Sequence, residues 1–294
     1  MTTRLALALL FIVAAALAYP YQDTTRQWVL GVSIAVVIAL FAWWRGEFAT
    51  TKLARRWAIW RGNHGGTRRS SSGDTATVVL AVEDPLDDEL PVALIAGYAD
   101  RYGLRLDKVR ITSRETTGQS SHWISLTLDA AQNLPALQAR SASIPVQETA
   151  ETVGRRLADH LREGGWTVMA VQQAPRPVSE TAKETWRALA DESGHLTAYR
   201  IPVDALPATL AAVRAHPCEE RWTAVEFGCD TVTAVAALRT AERPAGAPPV
   251  AGLATLGGRQ RSTLDALDPF SAHRLPGHQP AGTLADQVRW PSVV

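Results

Sequence analysis

The hydropathy pattern divides the chain into three regimes. Two uncharged apolar runs, 5–19 and 28–44, come first, separated by the eight residues 20–27. As helices they would rise about 22 Å and about 25 Å, a little less than a hydrocarbon core of about 30 Å. Amphipathic side chains at the ends suit the interfacial depth: Tyr19, Tyr21 and Trp28 near the loop, Trp43 and Trp44 at the far end. So short a connection joins antiparallel neighbours only, so the pattern predicts a two-helix transmembrane hairpin over 1–48 with both ends in one compartment. Residues 49–73 then form a basic juxtamembrane helix, with Leu53, Trp57 and Trp60 on one face beside Lys52, Arg55 and Arg56, followed by a Gly/Ser-rich linker. Such a helix suits the membrane interface, or equally the flank of a partner's transmembrane segment.

From Thr75 the period changes. Alternation predicts strands over 75–82, 105–114 and 122–128, the last two a hairpin around the turn 116–120. A helix is expected over 90–102, ending at Gly103. The clearest helix is 145–163, where Val146, Ala150, Val153, Leu157 and Leu161 form a stripe and Gly164-Gly165 ends it. A strand over 166–171 completes the order β-α-β-β-α-β of a split βαβ sandwich. A helix over 180–190, a strand over 195–203, a helix over 205–215 and strands over 221–227 and 231–240 then repeat β-α-β-β, which suggests an internal structural repeat. The fold class expected is α+β, a cytosolic domain over 74–240. Residues 241–294, with seven prolines and six glycines, read as an extended tail that gains order by lying on the domain or on a partner. Leu264, Leu267 and Phe270 are its candidate docking turn.

Charge orients the hairpin. Residues 45–69 hold seven basic side chains, among them Arg45, Lys52, Arg55 and Arg56, against Glu47 alone, whereas the connecting loop holds only Asp23 and Arg26. The positive-inside rule puts the basic end, and with it the N terminus and the main domain, in the cytoplasm. Ala16-Leu17-Ala18 also offers a signal-peptide cleavage site, against which stand the single basic residue before the first run and the second run itself. The overall +1 hides a mildly acidic body, which argues against nucleic acid as a partner and leaves the basic collar to inner-membrane lipid headgroups. Cys218 and Cys229 flank a strand too long for a disulfide to bridge, and two free thiols suit a reducing cytoplasm.

No catalytic motif stands out. The chain lacks G-x-x-x-x-G-K-[ST], H-E-x-x-H, a Cys/His cluster and a G-x-S-x-G elbow, so no catalytic residue, cofactor or metal is expected. His160 lies among Asp159, Arg162 and Glu163, which a solvated helix face explains better than a metal site. The acidic run Glu83, Asp84, Asp87, Asp88 and Glu89 stands where a strand turns into a helix, where capping and the helix dipole favour acids.

Specific stretches resemble the EccE family, the accessory membrane component of mycobacterial type VII (ESX) secretion systems, and its third branch most. They are RQWVLGVSIAVVIALFAWW (26–44), LDKVRITSR (106–114), WISLTLDA (123–130), LQARSASIP (137–145), VGRRLADHLREGGW (153–166), ETWR (184–187) and RWTAVEF (221–227), with likeness continuing through 248–270. The resemblance implies a non-catalytic subunit of an inner-membrane secretion machine, placed beside EccD and near EccB and the EccC ATPase. Tyr19, Trp28, Trp43, Trp44, Arg45, Lys52, Arg55 and Arg56 are then the expected membrane anchors, and Trp57 and Trp60 the candidate partner contacts. The alternative is a membrane-tethered enzyme acting on a lipid-linked or sugar-like substrate, to be recognised by a pocket of convergent acids or histidines.

Overall fold

The computed structural model describes residues 9–13, 16, 27–28, 30–34, 43–44, 47–64, 74–83, 89–141, 144–281, 285, 288 and 290. The chain forms two compact units, Met1–Gly66 and Thr67–Val294.

In the first unit, residues 9–13 and 30–34 are helical, and among the described residues no helix is long and apolar enough to cross a membrane. Most of the expected hairpin, including Tyr19 and Arg45, lies outside the described residues. One expectation is corrected: the second apolar run does not stay helical to its end. Trp43–Trp44 is a strand that pairs antiparallel with Glu47–Phe48, in the register Trp43↔Phe48 and Trp44↔Glu47. Tryptophan and phenylalanine are strong strand formers, and pairing across the short connection prevails over helix continuation. Helix α1, Ala49–His64, follows directly.

The second unit is built on one antiparallel sheet. Its main elements are β1 Thr75–Glu83, α2 Val92–Ala96, β2 Leu104–Thr116, β3 Gln119–Asp129, α3 Leu134–Gln138, α4 Val146–Glu163, β4 Thr167–Val171, β5 Leu189–Asp191, β6 Gly194–Ile201, α5 Leu206–Ala215, β7 Glu220–Phe227, β8 Thr231–Thr240 and α6 Gln260–Leu267. The strand order is β4-β1-β3-β2-β7-β8-β6-β5, with Lys183–Glu184 added outside β5. The α+β class and the order β-α-β-β-α-β followed by β-α-β-β are as the alternation predicted. Both β-α-β-β runs place their third strand between the first and second, as β1-β3-β2 and β6-β8-β7. They meet through β2 and β7, which pair from Val109↔Phe227 to Thr116↔Glu220. The repeat is therefore one of strand arrangement about a central antiparallel pair.

Alternation assigns the two faces. Leu80 of β1, Val109 and Ile111 of β2, Ile124 and Leu126 of β3, Val225 of β7 and Ala236 of β8 point to the face covered by α2, α4 and α5, whose Ile95, Leu157, Leu161, Leu210 and Val213 share the same cluster. Helix α4 lies so close to β1 that a Cβ on Gly154 would stand 2.8 Å from Val78 Cγ1. The opposite face holds Val79, Trp123, Leu196, Ala198, Trp222, Ala224 and Val235, covered by Leu264, Leu267 and Leu275 from beyond residue 241.

Two local expectations are corrected. Residues 180–190, helical by composition, form instead the strand pair of Lys183–Glu184 with β5. Thr185 closes its turn, its side chain donating to Ala188 O at 2.8 Å and accepting from Ala188 N at 3.1 Å. The reason is non-local: Trp186 lies against Gly257 and Gly258, its carbonyl accepting from Gly258 N at 2.8 Å. The helix expected over 90–102 stops at Ala96, tightens into a 3-10 turn over Gly97–Ala99 and becomes the strand Asp100–Arg101. Residues 241–281 lie on the domain and carry α6, in which Leu264 and Leu267 are fully buried.

Candidate functional site

The sequence residues singled out for membrane and partner contact fall in the first unit. Trp28 and, on α1, Trp57 and Trp60 are 70, 58 and 61% exposed. Lys52, Arg55 and Ile59 form the half-buried side of α1, and Arg56 is exposed with the tryptophans. Successive helical residues differ by about 100° around the axis, so Lys52, Arg55 and Ile59 fall together and Trp57 and Trp60 lie on the other side. The helix thus turns its largest apolar side chains outward. For Trp43 and Trp44 the backbone strand is what the structure describes.

The second unit contains an arrangement that sequence reading missed. On β2 Lys108 and Arg110, two residues apart, share one face, and a register shift between Leu106 and Lys108 inserts Asp107 as a bulge that lets Leu106 keep to the helix-covered core. Across the central pair Arg110 lies opposite Glu226, and Arg110 Nη2 donates to Glu226 Oε2 at 2.8 Å while its Nε donates to the same oxygen at 3.0 Å. Both side chains are fully buried. Removing two charges from water costs several kcal/mol each, so the attraction is offset unless every remaining donor and acceptor is satisfied.

Here the C-terminal stretch does the satisfying. Arg110 donates to the carbonyls of Ala266 and His273, and Lys108 Nζ donates to those of Ser271 at 2.8 Å and His273 at 2.5 Å. Ser125 donates to Pro269 O at 2.7 Å, and Thr233 to Pro276 O at 3.1 Å. Glu226 accepts from Leu275 N at 3.3 Å and lies 3.1 Å from His278 Nε2. Gln279–Pro280 pair with the start of β8, and on the other face Trp290 is fully buried and donates from Nε1 to Ser113 Oγ at 2.8 Å. Residues 260–281 thus form a strap over one face of the sheet, and Trp290 is held on the other.

Ionisation follows from this burial. Burial, and next the neighbouring Arg110, push Lys108 down to about 6, against the pull of Glu226. Burial alone would raise Glu226, but the His278 hydrogen bond and the charges of Arg110 and Lys108 outweigh it and hold the carboxyl down to about 2. Near neutral pH the guanidinium of Arg110 is therefore the lasting counter-charge of Glu226.

A second ionic group closes the other end of the central pair. Glu220 accepts from Arg114 Nε at 2.7 Å, Arg239 Nε at 2.6 Å and Trp222 Nε1 at 3.1 Å, and Arg239 also reaches Asp191 at 2.8 Å. These bonds lower the Glu220 carboxyl below its ordinary range despite its burial. Trp222 stacks on Trp123 with ring centroids 6.0 Å apart. On the helix-covered face Glu115 pairs with Arg221 and with Arg214 at 3.6 Å.

His160, expected on a solvated helix face, is held by Tyr98, whose hydroxyl lies 2.6 Å from its Nδ1. His122 is buried with Nδ1 2.6 Å from Ser113 Oγ. Asp84 lies outside the described residues. Cys218 and Cys229 are both free thiols. Among the described residues no three His, Cys, Asp or Glu side chains are grouped to hold a metal ion. What the buried charged groups do is tie strands and strap together.

Chemically, then, the second unit is a sheet whose polar side chains are spent on holding its own C-terminal strap, and the first carries an outward-facing tryptophan pair. The family model described as "Putative type VII ESX secretion system translocon, EccE" matches residues 116–201. The chain is 52% identical over 282 residues to the ESX-3 secretion system protein EccE3 of Mycolicibacterium smegmatis, covering 94% of this chain and 91% of that protein. It is 46% identical over 307 residues to the protein of the same name from Mycobacterium tuberculosis, covering 98% of this chain and 92% of the relative. The chain belongs to the EccE family of type VII secretion systems.

Proposed function

We propose that the chain is a scaffolding subunit of the inner-membrane complex of an ESX-3-type secretion system, with no catalytic step of its own. In this reading residues 1–48 are a two-pass hairpin, 49–73 a basic interfacial helix and linker, and 74–240 with the strap over 241–294 a cytoplasmic domain. Tyr19, Trp28, Trp43, Trp44, Arg45, Lys52, Arg55 and Arg56 seat it in the membrane, and Trp57 and Trp60 meet a neighbouring component, EccD first, with EccB and the EccC ATPase nearby.

The observation that supports this best is the outward placement of Trp57 and Trp60 on a helix whose other side is half-buried. Exposed tryptophans commonly carry about 2 kcal/mol or more each when an interface closes over them. Trp57→Ala with Trp60→Ala is expected to reduce recovery of the assembled membrane complex and export of its substrates together, with the variant still present in the membrane. Normal complex recovery and normal export would overturn the docking role. Topology is tested separately with a membrane-impermeant thiol reagent, which should label cysteines placed in 20–27 and spare those placed in 62–73 of intact cells. The reverse labelling pattern would put the domain on the other side.

A further inference from the structure

Among the described residues Tyr102 is the one non-glycine with a positive φ, 57°, and Gly103 follows it at 69°. The pairs Asp100↔Arg105 and Arg101↔Leu104 close a two-residue hairpin around them. Two successive left-handed residues demand a turn in which Gly, Asn or Asp is the usual first residue, because a Cβ crowds the backbone there. A tyrosine at this position is strained, and strain of this kind persists only where the surroundings hold it. What holds it is visible. The ring packs edge-on to Tyr98, centroids 6.1 Å apart, and two guanidiniums lie over it, Arg156 at 4.6 Å and Arg101 at 5.3 Å from its centroid. Tyr98 beneath is 1% exposed and anchored on His160, whereas Tyr102 remains 42% exposed at the tip.

Neither Arg101 nor Arg156 has a carboxylate within ion-pair distance among the described residues, although the chain folds Arg105 onto Asp100 and Arg162 onto Asp159 close by. Two uncompensated guanidiniums stacked on an exposed tyrosine offer bidentate donors beside an apolar ring, the residue types most often found at the energetic centre of protein interfaces. The geometry points to a docking point for an acidic segment of another protein: its carboxylates take the free edges of Arg101 and Arg156, and its apolar side chains take the exposed edge of Tyr102. Asp100 and Asp159, each paired with an arginine of its own beside the patch, keep it from being part of a broad basic face, so a short segment with discrete carboxylates suits it better than a bilayer or a nucleic-acid backbone. This deepens the docking role proposed above and rests on it for the existence of a partner, but it uses a different surface from Trp57 and Trp60.

The test uses the full chain in its native membrane complex. Tyr102 is replaced by p-benzoylphenylalanine, the cells are irradiated, and the cross-linked peptide is sequenced. The expected product joins position 102 to a segment of another protein with at least two Asp or Glu residues within about five positions, a span an extended chain covers in under 20 Å. Arg101→Glu with Arg156→Glu should lower its yield at least tenfold, Arg155→Glu on the same helix should leave it within twofold, and Lys in place of the partner's acids should restore it to the double variant. Tyr102→Asn, which suits the turn, should leave the domain folded and protease-resistant while weakening complex recovery. A cross-link only within the chain, to lipid, or to a segment without acids would overturn the inference. So would a yield indifferent to the double charge reversal. If position 102 fails in these ways while Trp57 and Trp60 remain necessary for assembly, the docking role survives and only this surface is refuted.

Discussion

On one side of the sheet β2 presents Val109 and Ile111 to the helix-covered core; on the other, one residue away along the same strand, it presents Lys108 and Arg110 to the strap. The first face is closed by helices whose apolar stripes can be read from local periodicity, and its stabilisation scales with the area taken from water. The second is closed in part by α6, whose Leu264 and Leu267 meet its apolar positions, and in part by irregular chain that offers carbonyls, which the charged side chains of the central strands must meet one by one. An apolar face tolerates approximate fit. A charged one depends on every partner being present, because an orphaned buried charge costs more than the pair gains.

The largest effect expected from this contrast is that of Glu226→Ala. It strands Arg110 in the interior, so unfolding in urea should show a loss of about 3–5 kcal/mol. Limited proteolysis should cut within 266–280 before the rest of the domain unfolds. A loss below about 1 kcal/mol with the strap still protected would show that the two faces are not held differently. Leu157→Ala on α4, fully buried, should cost about 2–5 kcal/mol through the cavity it leaves, yet unfold the domain as one unit with no early cleavage of the strap. Early strap release in that variant would break the comparison from the other side.

Acidity sharpens it further. Glu226 is depressed when folded, so its contribution is fully present above about 4.5, its ordinary value, and is lost as pH falls towards about 2. Lys108 has the opposite sign: it is lowered to about 6 from 10.5, so between these values the unfolded chain binds the extra proton and stability rises with pH, by at most about 1.4 kcal/mol per unit. The wild-type chain should therefore gain stability from pH 7 to pH 9 relative to Lys108→Met. Parallel curves for the two proteins would mean that the ammonium stays charged under the strap. Smaller still, Gly154→Ala should cost about 1–3 kcal/mol, since its new methyl meets Val78 at 2.8 Å and either α4 or β1 must yield. No change in the urea midpoint would mean that the helix-covered face has slack.

Much of the strand and helix order was legible along the chain because it rests on local period. Alternation marks β2, β3, β7 and β8, and a single stripe marks α4. The free cysteines followed from the length of the strand between them. Composition failed at 180–190, where good helix formers are drawn into a strand pair because Trp186 finds its packing partner at Gly257 and Gly258, about seventy residues away. It failed again at 90–102, where the left-handed Tyr102 turns the chain back. The alternation of LDKVRITSR marks a strand, but nothing in it tells where its charges go. Lys108 and Arg110 are fully buried, because the β2–β7 register sets Arg110 opposite Glu226 and Lys108, two residues away, shares that face.

Sequence by itself determined the α+β class, the element order, the two apolar runs, the basic collar and, through motif-bearing stretches, the EccE family, since period, composition and similarity are all properties of neighbouring residues. Tertiary structure alone decided which face each charge occupies, that residues beyond 241 strap the sheet instead of trailing from it, and that Tyr102 stands strained between two arginines. Those outcomes depend on register and on contacts between residues far apart along the chain, such as Leu90 and Ser113 with Trp290, for which no local pattern exists.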